Sequence, residues 1–296
     1  MKVLSVASEC APLVKTGGLA DVVGALPGAL APEGVEMRVM LPAYPGLLPQ
    51  VEGAERVEID LGGTAAHLVA GKAAGLPVIL LDAPALYARD GAPYAGPDGV
   101  EYPDNAERFG LFARAAAEVA TQGFGGWQPD AVHAHDWQAA LVPAYLRARE
   151  AAGPPVLLTV HNIAFQGVYA PEVLGPLGLP ESLMTMEGLE YHGQVGFLKA
   201  GLAMAERIST VSPRYARELT TPDFGFGLEG LLRHRAADFS GILNGVDAEV
   251  WNPETDPHLA ATYSAVQPDA KATNRAALAD RFGLVPQADA PLCVVI

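Results

Sequence analysis

The sequence predicts an α/β protein with a doubly wound parallel sheet, and three observations support this class. Short apolar runs that end in turn or polar residues recur along most of the chain. Several of these runs are apolar on both faces, as strands covered by helices on both sides should be. Segments with helical periodicity lie between them, and this strand–helix alternation is typical of parallel sheets.

The pattern gives each element in chain order. The predicted strands are 2–8, 37–43, 76–83, 129–136, 154–162, 206–212 and 240–247. The predicted helices are 19–31, about 104–122, 137–150, about 194–205 and 212–219. Residues 57–75 alternate in polarity and contain glycine turns, so we expect a small antiparallel insertion there.

The character of the sequence changes after Val246, which suggests a domain boundary. We expect residues 1–246 to form one domain and residues 247–270, rich in Pro, Asp and Thr, to form a linker. Residues 271–296 would begin a second domain, with a helix at 271–284 and an apolar strand at 291–296. A terminal strand of that kind would leave an unpaired edge. We therefore expect the chain to be the front part of a longer protein.

Composition excludes several classes of partner and location. The formal net charge of −15 argues against binding to nucleic acid or to an anionic membrane surface. No apolar run approaches the ~18 residues of a membrane span. The apolar run at the N-terminus is too short for a signal peptide and is interrupted by the acidic Glu9. Two cysteines, Cys10 and Cys293, form no disulfide framework. We expect a cytoplasmic protein.

Polar segments follow five of the predicted strands and carry the most specific residues of the chain. They read SECAPLVKTGG, HAHDWQ, HNIAFQG, SPRYA and NGVD. Ligands of open parallel sheets bind beyond the carboxyl ends of the strands. We therefore expect these segments to meet at one rim.

The first of these segments is a candidate anion site. Gly17 and Gly18 allow close approach to backbone amides, and the helix that follows adds the positive end of its dipole. Lys15 supplies a point charge suited to a phosphate oxygen. Glu9 and Asp21 flank the loop, where a carboxylate can bind hydroxyl groups or orient Lys15. An ordinary loop-to-helix turn with a solvated lysine fits these residues equally well.

The histidines allow several interpretations. His133 and His135 share one face of a strand while Asp136 lies on the other, so the three make an incomplete metal site, and we expect no metal. His135 and Asp136 end one strand, and His161 ends the next, where function usually lies. The alternative is that His161 is a buried histidine with only a structural role.

Other features are weaker. A serine hydrolase would need the G-x-S-x-G turn, which the sequence lacks. Tyr94 and Trp137 are aromatic residues that could stack on a sugar or a base, or simply belong to the core.

Seven segments together resemble bacterial glycogen synthases and plant starch synthases, which transfer glucose from ADP-glucose. They cover essentially the whole chain in the family's order. They are KTGGLADVVGALP (15–27), LYARDGAPY (86–94), PDAVHAHDWQAAL (129–141), TVHNIAFQGVY (159–169), FLKAGLAMAERISTVSPRYARE (197–218), FGFGLEGLL (224–232) and ILNGVDAEVWNPETD (242–256).

The resemblance implies a GT-B fold, in which two Rossmann-like domains face each other across a cleft. The N-terminal domain would serve mainly the glucan acceptor, and the C-terminal domain would hold the nucleotide. By similarity, Lys15 binds ADP-glucose, and His161 and Asp136 act at the reacting sugar. The remaining substrate-binding candidates are Gly17, Gly18, Glu9, Asp21, Tyr94, Trp137, Asn162 and Asn244.

The resemblance also implies a reaction. Glucose would pass from ADP-glucose to the non-reducing end of an α-1,4-glucan such as glycogen, with retention of configuration. ADP-glucose would be a co-substrate, and no cofactor would be needed. The family's basic pair and a later acidic residue in the second domain lie beyond Ile296, so we expect the chain alone to be weakly active. Two alternatives are a GT-B enzyme with another nucleotide sugar, such as UDP-glucose, and a non-catalytic glucan-binding fragment.

Overall fold

The computed structural model describes residues 1–149, 153–285, 287 and 290–294. Its contacts divide the chain into two compact units, Met1–Leu243 and Asn244–Ile296. The first unit contains all of the strands found in the described residues.

Nine strands of the first unit form one sheet in the order β12-β11-β7-β6-β1-β2-β5-β4-β3. The strands from β12 to β5 in that order are parallel, and β4 and β3 continue the edge antiparallel. The strand bounds are β1 Lys2–Val6, β2 Glu36–Pro42, β3 Glu52–Asp60, β4 Ala65–Ala73, β5 Leu76–Asp82, β6 Ala131–His135, β7 Val156–Val160, β8 Val168–Tyr169, β9 Glu190–Tyr191, β10 Gln194–Gly196, β11 Arg207–Thr210 and β12 Phe239–Gly241.

Helices connect the parallel strands. Their bounds are α1 Gly18–Leu30, α2 Pro84–Tyr87, α3 Asn105–Gln122, α4 Asp136–Ala139, α5 Val142–Arg147, α6 Leu174–Leu177, α7 Phe197–Met204, α8 Pro213–Leu219, α9 Glu229–His234 and α10 Lys271–Arg281. Short 3-10 turns occupy Ala31–Glu33, Leu48–Gln50, Pro171–Val173, Glu181–Leu183 and Pro268–Ala270. None of these helices is long and apolar enough to cross a membrane, within the residues described.

The predicted doubly wound sheet is confirmed, and each of the seven predicted strands has a counterpart, although the strand predicted at 240–247 is limited to Phe239–Gly241. Apolar residues on both faces make the central strands buried, as in β1, where Leu4 and Val6 have no exposed surface. The chain runs from β1 to β2 on one side and later returns through α3 to β6 on the other side of β1. This change of direction beside β1 is the topological switch point of the sheet.

The predicted antiparallel insertion is also confirmed. It consists of β3 and β4, and β4 pairs with β5, so the insertion extends the edge of the main sheet. A second, three-stranded antiparallel sheet in the order β8-β10-β9 was not expected. Its strands have only two or three residues each, which is too short to show a polarity period.

Two helix predictions need correction. The single helix predicted at 137–150 is two helices, α4 and α5, because Pro143 near the start of α5 has no N–H to continue an earlier helix. Residue 150 lies outside the described residues. The helix predicted from about 194 begins at Phe197, because Gln194–Gly196 pair as strand β10.

The second unit contains α10, which is a shortened form of the predicted helix at 271–284. Asn274 on this helix exchanges hydrogen bonds with the backbone of Ala261, donating at 2.7 Å and accepting at 3.0 Å. The apolar strand predicted at 291–296 is not found at 291–294, where no described strand pairs with it. Residues 295 and 296 lie outside the described residues. The predicted domain limits at 246 and 270 stay predictions.

Candidate functional site

Three of the five polar segments predicted to meet at one rim follow β1, β6 and β7, which are neighbours in the sheet beside the switch point. The loop after β1 carries Glu9 and Lys15, β6 ends at His135, and β7 is followed by His161. Hydrogen bonds connect the ends of neighbouring strands β6 and β7. Burial raises the pKa of Asp136 and lowers the pKa of His161, and the charge of Glu9 is a smaller influence on both groups.

Glu9 fixes the conformation of the glycine loop. Its buried carboxylate accepts hydrogen bonds from the backbone N–H of Thr16 at 2.5 Å and of Gly17 at 3.1 Å, and from the Thr16 hydroxyl at 2.6 Å. The Tyr94 hydroxyl donates to the same carboxylate at 2.5 Å. Four donors occupy both oxygens of Glu9, so this carboxylate holds the loop and leaves little acceptor capacity for a sugar hydroxyl.

Lys15 and Asp21 form an exposed ion pair. The Lys15 ammonium donates to both oxygens of Asp21 at 2.8 Å, and the two side chains are 53% and 56% exposed. An exposed pair of this kind contributes little to stability. Its effect is to orient Lys15, one of the two roles the sequence left open for a carboxylate here.

The two glycines leave the start of α1 open. A Cβ atom added at Gly17 or Gly18 would meet no atom within 4 Å, so neither glycine is required by packing. Gly17 is the N-cap residue and its N–H is taken by Glu9, so the free amides of the first turn begin at Gly18. Unobstructed amides at a helix N-terminus beside a lysine suit an anion.

Gly24 has a different function in the same helix. A Cβ atom there would lie 2.2 Å from the carbonyl oxygen of Ala11, so only glycine lets α1 pack against the loop that carries Lys15. The sequence places this glycine inside an apolar helix. Its close contact with Ala11 depends on the path of the loop, which the sequence does not show.

Tyr94 connects the loop after α2 to the loop after β1. Besides Glu9, its hydroxyl group contacts the Ser8 hydroxyl at 2.7 Å, and its ring packs on Phe109. Burial raises the pKa of Tyr94, and the nearby Tyr44 and Glu9 raise it further. Tyr94 is therefore a neutral phenol, anchored at its hydroxyl end. Ser8 was missed by the sequence reasoning, and only its position beside Glu9 at a strand end could have indicated it.

Asp136 shapes the chain after β7. It is buried, its φ is +53°, and its Oδ1 accepts hydrogen bonds from the backbone N–H of His161 at 2.6 Å and of Asn162 at 3.4 Å. Aspartate adopts this left-handed conformation more readily than most residues. Burial raises the pKa of Asp136 to about 7, against the lowering effect of those two amides. Asn162 is exposed, and its side-chain oxygen accepts from the N–H of Ala164 at 3.0 Å.

His161 belongs to a chain of hydrogen bonds that runs into the sheet. Its Nε2 lies 3.0 Å from Nδ1 of His135, and Nε2 of His135 lies 3.2 Å from Oγ of Ser5. Ser5 and His135 have no exposed surface. Burial lowers the pKa of His161 to about 4 and holds the pKa of His135 well below its ordinary value. Both rings are therefore neutral at physiological pH.

A second polar chain runs parallel to the first. His133 Nε2 contacts the Thr159 hydroxyl at 2.7 Å, which contacts the Ser209 hydroxyl at 2.7 Å. The His133 and His135 rings stack with centroids 4.0 Å apart, on one face of β6 as the strand period requires. Burial lowers the pKa of His133 to about 3. In the described part of the chain no three His, Cys, Asp or Glu side chains cluster as metal ligands.

Two further predicted site residues are a mostly buried tryptophan and an asparagine of the second unit. Trp137 is 7% exposed and packs against Phe109, Tyr169 and Phe197, so most of its ring is in the core. Asn244 is an exposed residue of the second unit. Its predicted role at the site stays a prediction.

These features define a class: a doubly wound α/β protein with a lysine, an open helix N-terminus and neutral histidines at its switch point. Comparison with known proteins gives the family. The profile described as "Starch synthase catalytic domain" matches residues 2–234. The chain belongs to this family, which confirms the resemblance seen in the sequence.

Individual relatives agree. The chain is 58% identical to a glycogen synthase of Roseobacter denitrificans and 51% identical to one of Rhodopseudomonas palustris, over 100% of its own length in both cases. It spans 62% and 61% of the length of these relatives. Among solved structures, the catalytic domain of starch synthase IV from Arabidopsis thaliana, bound to ADP and acarbose, matches 98% of this chain and 60% of its own, with 31% identity and a TM-score of 0.79. This likeness confirms the GT-B fold class.

Proposed function

We propose that this chain is part of a cytoplasmic, retaining glucosyltransferase. It would transfer glucose from ADP-glucose to the non-reducing end of an α-1,4-glucan in glycogen synthesis. The observation that carries the proposal is the pairing of an oriented Lys15 with the unobstructed N-terminus of α1 in a member of the starch synthase family. The printed names of the relatives, and the ADP bound to starch synthase IV, support it.

The chemistry requires stabilisation of the leaving diphosphate. Bond breaking at the anomeric carbon leaves negative charge on the diphosphate and positive charge on an oxocarbenium-like sugar, and fixed positive groups stabilise the departing charge. Lys15 supplies a full charge, and the amides from Gly18 onward supply the helix dipole. Glu9 contributes indirectly, because its hydrogen bonds hold Thr16 and Gly17 in the conformation that presents these groups.

The strand ends act on the sugar. His161 is neutral, so it offers a hydrogen bond rather than a charge to a hydroxyl group of the transferred glucose. Asp136 holds the backbone of His161 and Asn162 in place. The carboxylate and the histidine thus have separate roles: Asp136 positions, and His161 contacts the sugar.

The donor is tested directly with the complete gene product. ADP-glucose or UDP-glucose, labelled in the glucose, is offered with a glycogen primer, and labelled glucan is measured. We expect incorporation from ADP-glucose, the same anomeric configuration in the product, and no loss of rate in EDTA, since no metal is needed. Preference for UDP-glucose would establish a GT-B enzyme with another donor. Glucan binding without transfer from either donor would establish a non-catalytic glucan-binding protein.

A further inference from the structure

In the chain of hydrogen bonds from Ser5 to His161, the donor and the acceptor of each bond can be assigned. It joins Ser5 Oγ, His135 Nε2, His135 Nδ1 and His161 Nε2 over contacts of 3.2 and 3.0 Å. A neutral imidazole has one N–H donor and one acceptor nitrogen. His135 is buried and neutral, so it must donate through one nitrogen and accept through the other.

Ser5 decides which nitrogen of His135 accepts. Its side chain has no exposed surface, and among the described residues its hydroxyl group makes one hydrogen bond, to His135. If the hydroxyl accepted from His135, its own O–H would be buried without a partner, which is costly. If it donates, only oxygen lone pairs remain unused. Ser5 therefore donates to Nε2 of His135.

The remaining protons follow from this direction. His135 carries its proton on Nδ1 and donates it to Nε2 of His161. His161 then carries its own proton on Nδ1. Within the described residues Nδ1 of His161 has no hydrogen-bond partner, and it is not among the buried side-chain atoms that lack one, so it reaches solvent.

We propose that Ser5 and His135 are positioning residues that fix His161 as the Nδ1–H tautomer, so that His161 presents a hydrogen-bond donor to the site. The benefit for glucosyl transfer rests on the proposed function, because a donor is what an electron-rich hydroxyl oxygen of the sugar accepts. The tautomer itself does not depend on that function. In the opposite tautomer His161 would present a lone pair at the same place.

The experiment is NMR of the folded chain labelled with 15N in its histidine rings. Long-range proton–nitrogen correlations identify which ring nitrogen carries the proton, and a His161→Gln variant assigns the His161 signals. We expect the Nδ1–H form of His161 to exceed the Nε2–H form by about tenfold or more, given the cost of an unpaired buried O–H. A predominantly Nε2–H His161 in the unmutated chain would overturn the proposal.

A matched pair of variants tests the origin of the preference. Ser5→Ala removes the donor at the buried end of the chain, and we expect the Nδ1–H excess at His161 to fall at least several-fold. Ser209→Ala removes a buried serine from the parallel chain through Thr159, and it should leave the His161 tautomer unchanged. An unchanged tautomer in Ser5→Ala, or an equal shift in both variants, would contradict the assignment. None of these readouts requires catalytic activity, so a failure here is distinct from a failure to find glucosyl transfer.

Discussion

The loop after β1 and the strand ends of β6 and β7 differ in exposure and in charge. Lys15 and Asp21 are more than half exposed and form an ion pair, and the buried carboxylate of Glu9 fixes the loop that carries Lys15. His135 and Ser5 are fully buried, and the histidines are neutral. The difference indicates a division of function. In the proposed function, the exposed region offers the Lys15 ammonium and the amides at the start of α1 to an anion, and the buried region orients a neutral hydrogen-bond donor.

The largest effect is expected at His161. His161→Ala removes the ring proposed to contact the reacting sugar, and loss of a single oriented donor costs about 100- to 1000-fold in kcat. The KM for the nucleotide sugar should change much less. Initial rates of glucan extension by the complete gene product, over a range of donor concentration, measure both. Turnover near the normal value would mean that His161 is a structural histidine.

Acidification should destabilise the buried region. Burial lowers the pKa of His133, His135 and His161 in the folded state. Below about pH 6.5 these histidines therefore bind protons in the unfolded chain but remain neutral in the folded one. Asp136 has the opposite effect and offsets one of these three protons. Its pKa is raised, so between about pH 7 and pH 4 its carboxyl group is protonated in the folded state and ionised in the unfolded chain. The net uptake of about two protons lowers the free energy of unfolding by roughly 2 to 3 kcal/mol per pH unit below pH 6.

Urea unfolding at several pH values measures this slope. His133→Asn should reduce the slope by about one proton, roughly 1.4 kcal/mol per pH unit. His234→Asn, at an exposed histidine, is the matched control and should leave the slope as it is. A slope that is the same in all three proteins would show that the buried histidines do not control the acid sensitivity.

The glycine loop should depend on the hydrogen bonds of Glu9 more than on its charge. Glu9→Ala leaves the N–H groups of Thr16 and Gly17 without their acceptor, at a cost of about 1 to 3 kcal/mol. Glu9→Gln keeps an oxygen that accepts from these amides, and its amide NH2 group can donate to the Thr16 and Tyr94 hydroxyl groups, so it should cost less. Hydrogen exchange of the two amides is the measurement. Equal exchange rates in both variants would contradict the role of Glu9 as the group that holds the loop.

The smallest effect is expected from the exposed pair. Lys15→Ala and Asp21→Asn should each change the free energy of unfolding by less than about 1 kcal/mol, because exposed ion pairs contribute little. Urea unfolding of the two variants beside the unmodified chain tests this. A loss of several kcal/mol in either variant would mean that the pair is a structural element of the loop.

The sequence was informative where a local pattern determines the structure. The seven parallel strands were predictable because runs such as residues 76–83 are apolar on both faces, and the break before Pro143 could have been read from proline alone. The sheet of β8, β9 and β10 was not predictable, because two- and three-residue strands form through their neighbours.

The site was predictable as a set of residues but not as a set of contacts. The Lys15 loop, His161 and Asp136 all follow strands, which placed them at the rim. The link from Ser5 to His135 and His161 depends on strand order and register between β1, β6 and β7, which no single segment encodes. The role of Glu9 likewise depends on the path of the loop that returns to it.

The division of function is tested most directly by comparing Lys15→Ala and His161→Ala in one steady-state assay of the complete gene product with ADP-glucose and a glycogen primer. We expect Lys15→Ala to raise the KM for ADP-glucose by about 10- to 100-fold through loss of a charge-assisted contact, with the fold intact. We expect His161→Ala to lower kcat and to change that KM little. Unchanged donor kinetics in Lys15→Ala, or the same change of kcat and KM in both variants, would contradict the account.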